Sequence, residues 1–328
     1  MSDNNEVVTV EEIKNGFKTI QNNICSYLVE HTKQEYLEDL WDYHKGTGGG
    51  ITRVWEGENP EGFFGAPDAG RRYDVLEKGG VNFSCIEGDN LPSAAATQFN
   101  IAPTTPYVAT GVSLVLHSYS PRVPTIHMNV RYFQAGATWW FGGGIDVTPV
   151  YPNLDQVVAY HRGLKAVCDQ FGCDEQGTTY AKGKAECDSY FHLKHRNETR
   201  GVGGLFYDHI RGDSSEAAKR KAWRFIEALG LAFVSLYRPF LEENISLPYT
   251  LAQREFQLYR RSRYVEFNLL FDRGTKFGIQ SEGRIESIFM SLPAVAKWKY
   301  NYKPQPNTPE SELTDFFLKP QDWLSLNQ

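Results

Sequence analysis

The five cysteines of this 328-residue chain (Cys25, Cys85, Cys168, Cys173 and Cys187) are odd in number and form no Cys-x-x-Cys pair. That argues against a disulfide framework and suits a reducing compartment. No uninterrupted apolar run approaches the ~20 residues of a membrane span. The start, Met-Ser-Asp-Asn-Asn-Glu, has neither an apolar signal core nor an arginine-rich targeting segment. An excess of positive charge is also missing: 34 basic against 40 acidic residues give a net charge of −6. No global field therefore draws nucleic acid or anionic membrane, and an anionic ligand has to be met by local arginines. Nucleotide signatures fail as well. Gly201-Val-Gly203-Gly204-Leu-Phe206 and Gly142-Gly-Gly-Ile-Asp-Val147 lack the third glycine of Gly-x-Gly-x-x-Gly, and Gly183-Lys184 is followed by Ala185 rather than Ser or Thr. There is no internal repeat, no linker and no His-Glu-x-x-His. The absences leave a soluble, cytoplasmic, single-domain protein as the expectation.

The patterns that are present alternate between helix and strand. Ile13, Phe17, Ile20, Ile24 and Leu28 predict a helix over Val10–His31. A second helix is expected over Gln34–His44, broken by the glycines of 46–50. Short β-rich runs from Ile51 to Phe133 read as a meandering antiparallel sheet. Helices follow at Leu154–Phe171 and, longest of all, Ser215–Glu243. Strand-like alternation returns at Phe256–Phe271, a short helix lies near Ile285–Met290, and Phe316, Phe317 and Trp323 dock the tail. The fold class is α+β: one domain over residues 1–328, flexible at 1–9, in three α/β/α layers with a large antiparallel sheet between helices.

Chemistry concentrates in three places. On the strand around His127, alternation puts His127, Asn129 and Arg131 on one face and Ile126, Met128, Val130 and Tyr132 on the other. Ser113, Val115 and His117 share a face in the same way. These residues make either a polar site floor or a solvated sheet face. Trp140-Phe-Gly-Gly-Gly-Ile-Asp146 reads as a tight turn presenting a carboxylate, or simply as a turn with a capping Asp. The third place is Tyr190–Asp208. His192 and His195, with Arg196 and Arg200, have helical spacing up to Gly201, and Leu205–Tyr207 begin a buried strand.

These motifs, with Tyr264-Val-Glu-Phe-Asn-Leu-Leu-Phe-Asp-Arg-Gly-Thr-Lys-Phe-Gly278 and Gly283-Arg-Ile-Glu-Ser287 running on to Pro293, closely resemble the oxygen-dependent coproporphyrinogen-III oxidase family over nearly the whole chain. The resemblance implies oxidative decarboxylation of two propionates of coproporphyrinogen III to vinyl groups. The products would be protoporphyrinogen IX, carbon dioxide and hydrogen peroxide, with molecular oxygen as co-substrate and no cofactor required. It implies His127 as proton donor and Asp146 under the macrocycle against its pyrrole N–H groups. It implies Ser113, Asn129, Arg131, Gly283 and Arg284 as substrate contacts, although Glu282 stands where the family often has a small residue. It also implies a homodimer formed through 264–299.

Two other functions compete. A histidine-ligated metal oxygenase would use His117, His127, His161 and His195, although His161 on an apolar helix stripe also reads as a core histidine. A non-catalytic tetrapyrrole carrier would use the arginines but has no need of His127 or Asp146.

Overall fold

The computed structural model describes residues 7–58, 74–91, 96–97, 100–213, 215–280 and 283–326. Its frame is a seven-stranded antiparallel sheet in the order β1-β2-β3-β4-β5-β6-β9. The strands are β1 (Leu37–Asp42), β2 (Thr47–Glu56), β3 (Leu76–Gly88), β4 (Tyr107–Ser118), β5 (Thr125–Ala135), β6 (Thr138–Thr148) and β9 (Gly204–Ile210). A separate two-stranded hairpin joins β7 (His192–Leu193) to β8 (Glu198–Thr199).

One face of the sheet carries the main core. Leu114, Leu116, Ile126, Met128, Val130, Phe141 and Ile145 are all fully buried there. They pack in one cluster with α1 (Val10–Thr32), α2 (Leu154–Phe171), α4 (Glu216–Leu231) and α5 (Phe233–Glu242). Trp223 of α4 ties this layer together, meeting Phe17 edge-on at 5.2 Å and Phe141 at 6.0 Å. Gly16 of α1 is where it passes: a Cβ there would stand 2.4 Å from the indole. The helix starts are specified locally. Thr9 and Asn153 accept from backbone N–H groups in the first turns of α1 and α2.

The opposite face is roofed by α6 (Leu251–Leu270), α7 (Arg273–Gln280) and α8 (Ile285–Phe289), which reach the strands through Arg254 on Glu77, Arg273 on Asp208 and the Ser287 carbonyl on Asn82, with α3 (Tyr180–Tyr190) flanking the β9 edge. The three-layer α+β expectation therefore holds. So do the first helix, the helix at Leu154–Phe171, the short helix from Ile285, and the docked tail with Trp323 buried.

Several local expectations are corrected. Gln34–His44 is not helical: strand β1 runs through it, paired to β2 from Leu37↔Val54 to Asp42↔Gly49. The pairing overrides helix-tolerant residues. The long helix divides at Ala232, whose N–H bonds back to Ala228 and Gly230, so α1 is the longest helix. His192–Arg200 is the β7–β8 hairpin, turned by Asn197 at φ 53°. The triple-glycine segment is the middle of β6, where Gly143 takes φ 145° beside a bulge against β9. Phe256–Phe271 is helix α6 rather than a strand, started by a Thr250/Gln253 capping box. Within the segment 1–9, Val8 is buried with its N–H on Glu216, while Val7 is exposed. Residues 1–6 and Glu282 lie outside the described residues.

Candidate active site

Register on the roofed face builds the site. Asp39, Thr52, Asn82, Ser113, Asn129, Gly144 and Phe206 pair in one row from β1 to β9. The neighbouring rows carry Gly80, Val115, His127 and Asp146 on one side, and Gly50, Ser84, Gly111, Arg131 and Gly142 on the other. Paired residues share a face, so Ser113, His127, Asn129 and Arg131 do line one floor, as expected.

His127 and Asp146 are direct cross-strand partners, with Nδ1 2.8 Å from Oδ1. Arg200, from the hairpin, reaches the same carboxylate through Nη2 at 2.6 Å and Nε at 3.1 Å. Arg200 and Asp146 are both buried. The guanidinium sits among the rings of Phe191, Tyr264 and Phe267 at 4.0, 4.7 and 5.0 Å. Burial alone would raise Asp146, but the Arg200 charge and the His127 hydrogen bond overcome it and hold the carboxyl below its usual range. An ionised carboxylate only accepts, so Nδ1 of His127 must be the donor. That fixes the tautomer and leaves Nε2, which has no partner among the described residues, on the floor side.

The direct contact of Asp146 with a ring above it is not what this geometry presents. Asp146 is 2% exposed with both oxygens engaged, while the side chain of its partner His127 is 19% exposed.

Arg131 is anchored through both of its terminal nitrogens. Its Nη1 donates to Asn129 at 2.8 Å and its Nη2 to the Asp208 carbonyl at 3.0 Å, and the guanidinium lies 5.6 Å from the Trp140 ring. Burial pulls its pKa down despite Asp208. Arg284 lies at the far end of the floor, paired with Asp39 of β1 and donating to Ser287 at 3.1 Å. Asp39 and Asn129 are separated by four strand spacings, roughly 19 Å. Gly283 precedes Arg284 in the segment leading into α8, and its N–H is tied to Gly278 at 2.7 Å.

The four imidazoles of the metal alternative do not converge. His117 is buried between Thr125 (3.1 Å) and the Ser291 carbonyl (2.9 Å). His161, on α2, is buried between Tyr180 (2.9 Å) and the Val202 carbonyl (3.1 Å). His195 is bound to Glu266 at 2.7 Å. Among the described residues no group of three or more His, Cys, Asp or Glu side chains is arranged around a common point. Sequence reading placed Arg200 nearby without a task. It missed Asp208 and Trp140 as supports of Arg131, and Asn82 and Thr52 as floor.

A family model described as coproporphyrinogen III oxidase matches residues 12–323. A curated relative from Dictyostelium discoideum, named oxygen-dependent coproporphyrinogen-III oxidase, is 66% identical over 332 aligned positions, covering 100% of this chain and 98% of the relative.

Proposed function

Because this chain belongs to the coproporphyrinogen III oxidase family, we infer that the roofed face of its sheet is where two propionates of coproporphyrinogen III are oxidatively decarboxylated to vinyl groups. The enzyme is an oxidoreductase using molecular oxygen. Each propionate loses its carboxylate as carbon dioxide and one hydrogen from the carbon next to the ring. The two electrons pass through the electron-rich pyrrole to oxygen. Oxygen takes up that hydrogen and one further proton and leaves as hydrogen peroxide.

The observation that carries the site assignment is the Arg200–Asp146–His127 chain opening onto a floor with an arginine at each end. His127 is the proton donor: as the imidazolium it keeps Nδ1–H on Asp146 and gives up the proton carried by Nε2. Asp146 and Arg200 position it. Arg131 and Arg284 grip carboxylates at opposite edges of the ligand, which a planar guanidinium does bidentately. Ser113 and Asn129 supply hydrogen bonds between them, and Gly283 lets the Arg284 segment approach the ligand. No resident metal is needed in this scheme. Two buried imidazoles already spend both ring nitrogens on protein groups, which supports that choice.

We also assign a homodimer through 264–299. The segment begins inside helix α6, so an added edge strand is not the basis of that contact. It is the exposed apolar set Leu269, Leu270, Phe277, Ile279, Ile285 and Trp298. A cytoplasmic location fits five unpaired cysteines. No helix among the described residues is long and apolar enough to cross a membrane.

The test is anaerobic mixing of the chelator-treated protein with coproporphyrinogen III, then admission of oxygen while porphyrins and peroxide are followed. Conversion that starts only with oxygen is expected. Equal conversion without oxygen defeats the reaction, and activity restored only by one added metal defeats the metal-free scheme. Light scattering of the same sample reads the assembly, and a fully active monomer would remove the dimer.

A further inference from the structure

The register of β6 against β9 slips between Phe141 and Gly143, so β9 carries one extra residue at Asp208–His209. Gly142 stands opposite that bulge. A Cβ there would come 2.5 Å from the Asp208 carbonyl oxygen and 3.1 Å from Nη2 of Arg131. The missing side chain leaves room for one guanidinium to meet both the carbonyl and the carboxylate of the same residue.

Those two attachments differ. Nη2 of Arg131 donates to the Asp208 carbonyl at 3.0 Å but stands 3.4 Å from Oδ1 of its carboxylate. The carbonyl belongs to the strand, so it holds the arginine whatever the side chain does. The carboxylate is 37% exposed, and its other oxygen lies 2.9 Å from Nη1 of Arg273 on α7. Arg273 is itself exposed, with its guanidinium 4.7 Å from the Tyr190 ring. Asp208 can therefore let go of Arg131 and keep a partner, leaving no buried charge of its own alone.

The neighbouring groups do not share this role. The Asp272 carboxylate accepts from the Tyr190 hydroxyl at 2.7 Å and from the N–H and hydroxyl of Thr275, each at 2.8 Å. His209 turns its ring edge-on to Trp140 at 4.7 Å, with Nδ1 3.8 Å from Asp208. Among the described residues Asp208 is the one carboxylate ion-paired with Arg131. Burial lowers the Arg131 pKa, and Asp208 is the foremost charge opposing that fall.

We propose that Asp208 is an exchangeable counter-ion: a ligand propionate displaces its carboxylate from Arg131, and Asp208 returns once that propionate has left as carbon dioxide. The inference rests on the reaction assigned above and makes Asp208 a positioning residue that acts through Arg131. On arrival the propionate and Asp208 compete for the same nitrogen, which weakens binding. After decarboxylation, its electrons having passed to oxygen, Arg131 faces a neutral vinyl group and lacks a partner in a desolvated place. The return of Asp208 pairs it again and favours departure of that edge of the ligand.

Asp208→Asn keeps the side-chain size and the carbonyl that anchors Arg131, so it should fold normally. Anaerobic titration with coproporphyrinogen III should give a dissociation constant roughly 2- to 5-fold below that of the wild-type chain, the worth of an exposed ion pair. After oxygen is admitted, the single-turnover rate should stay near wild type, while steady-state kcat falls by a comparable factor because release is slowed. Asp208→Glu restores the charge and should move both values back toward wild type. Asp208→Ser gives the same binding shift if Asp208→Asn does not fold. A dissociation constant that rises makes the carboxylate a plain support of Arg131 and overturns the proposal, and so do unchanged binding and turnover. Tighter binding with an unchanged kcat removes the return of Asp208. A wild-type chain that neither binds nor converts coproporphyrinogen III overturns the reading of the site itself, and this inference with it.

Discussion

The two faces of strand β5 divide the molecule. Ile126, Met128, Val130 and Tyr132 point into the layer of α1, α2, α4 and α5 and are at most 1% exposed. Thr125, His127, Asn129 and Arg131 point under α6 to α8 and keep partial exposure, with Ser113 opposite Asn129 and Asp146 opposite His127 on matching register positions. The first face is uniform: apolar groups gain from leaving water, at about 25 cal/mol per Å², and geometry matters only for packing. The second face gains little from burial and depends on pairing. Asp146 and Arg200 hold each other there, and removing either leaves a buried charge uncompensated. One face supplies the stability that lets the other carry strained electrostatics.

The largest effect should come from breaking the His127 end of the paired face. His127→Gln keeps the Asp146–Arg200 pair whole, so the protein should fold, while single-turnover rates should fall by about 10²–10⁴-fold. Asp146→Asn should lower the rate too, but it also strands Arg200 and should cost about 3–5 kcal/mol of stability. If Asp146 works through His127, adding Asp146→Asn to His127→Gln should lower the rate little further. Independent, multiplying losses would instead give Asp146 its own contact with the ligand.

The same contrast explains what could be read from the sequence. The β5 alternation was legible because a half-buried strand writes its faces at period two. The shared face of His127, Asn129 and Arg131 followed from it directly, and that of Ser113 and His117 from the same alternation on β4; their roles came from the family resemblance. Helix α6 was not legible. Its roofing role buries Arg254, Arg260, Arg261 and Arg263, so a helix that ought to show a clean apolar stripe shows charges inside. Tyr264-Val-Glu-Phe267 then mimics strand alternation, and only the Thr250/Gln253 box announced a helix. The hairpin at His192–Thr199 was missed for a related reason: its cations are spaced for a helix, and the one turn signal was Asn197. The Asp146 environment was invisible because Arg200 arrives from 54 residues away. Long-range pairing leaves no local mark.

A smaller effect should separate the two faces by what is lost. Met128→Ala should cost about 2–5 kcal/mol of stability by opening a cavity, with KM unchanged in the protein that remains folded. Arg131→Ala should do the reverse. Its exposure is 28% and its partners are polar, so stability should change by less than about 1 kcal/mol. A lost charge-assisted contact of about 1.5–3 kcal/mol should raise KM roughly 10- to 150-fold. Arg131→Lys should recover only part, because the fork is gone. Normal KM in Arg131→Ala would remove that residue from the site, and a stability loss as large as that of Met128→Ala would make it structural.

The smallest effect asks whether the faces differ at all in acid, through one buried imidazole in each helical layer's contact with the sheet. His117 faces the roof, where Nε2 donates to Ser291 and Nδ1 accepts from Thr125. His161, on α2 under the core face, donates to Val202 and accepts from the Tyr180 hydroxyl. Burial pushes both down to about 3, followed by positive neighbours: Arg261 first for His117 and Lys184 for His161. The unfolded chain binds a proton at each near pH 6.5 and the folded chain does not until about 3. Between those values the unfolded state holds more protons, so stability must rise with pH and fall as acid is added. Each imidazole contributes about 1.4 kcal/mol per pH unit to that slope. Urea unfolding at a series of pH values from 6.5 down to 4.5 measures it. His117→Gln and His161→Gln, each replacing the ring by a neutral donor and acceptor, should each flatten the slope by about that amount, and the double variant by the sum. A slope relieved by His161→Gln alone would mean that the roof opens and hydrates His117 before the sheet unfolds. The paired face would then be the part of the molecule that acid loosens first, while the apolar face holds.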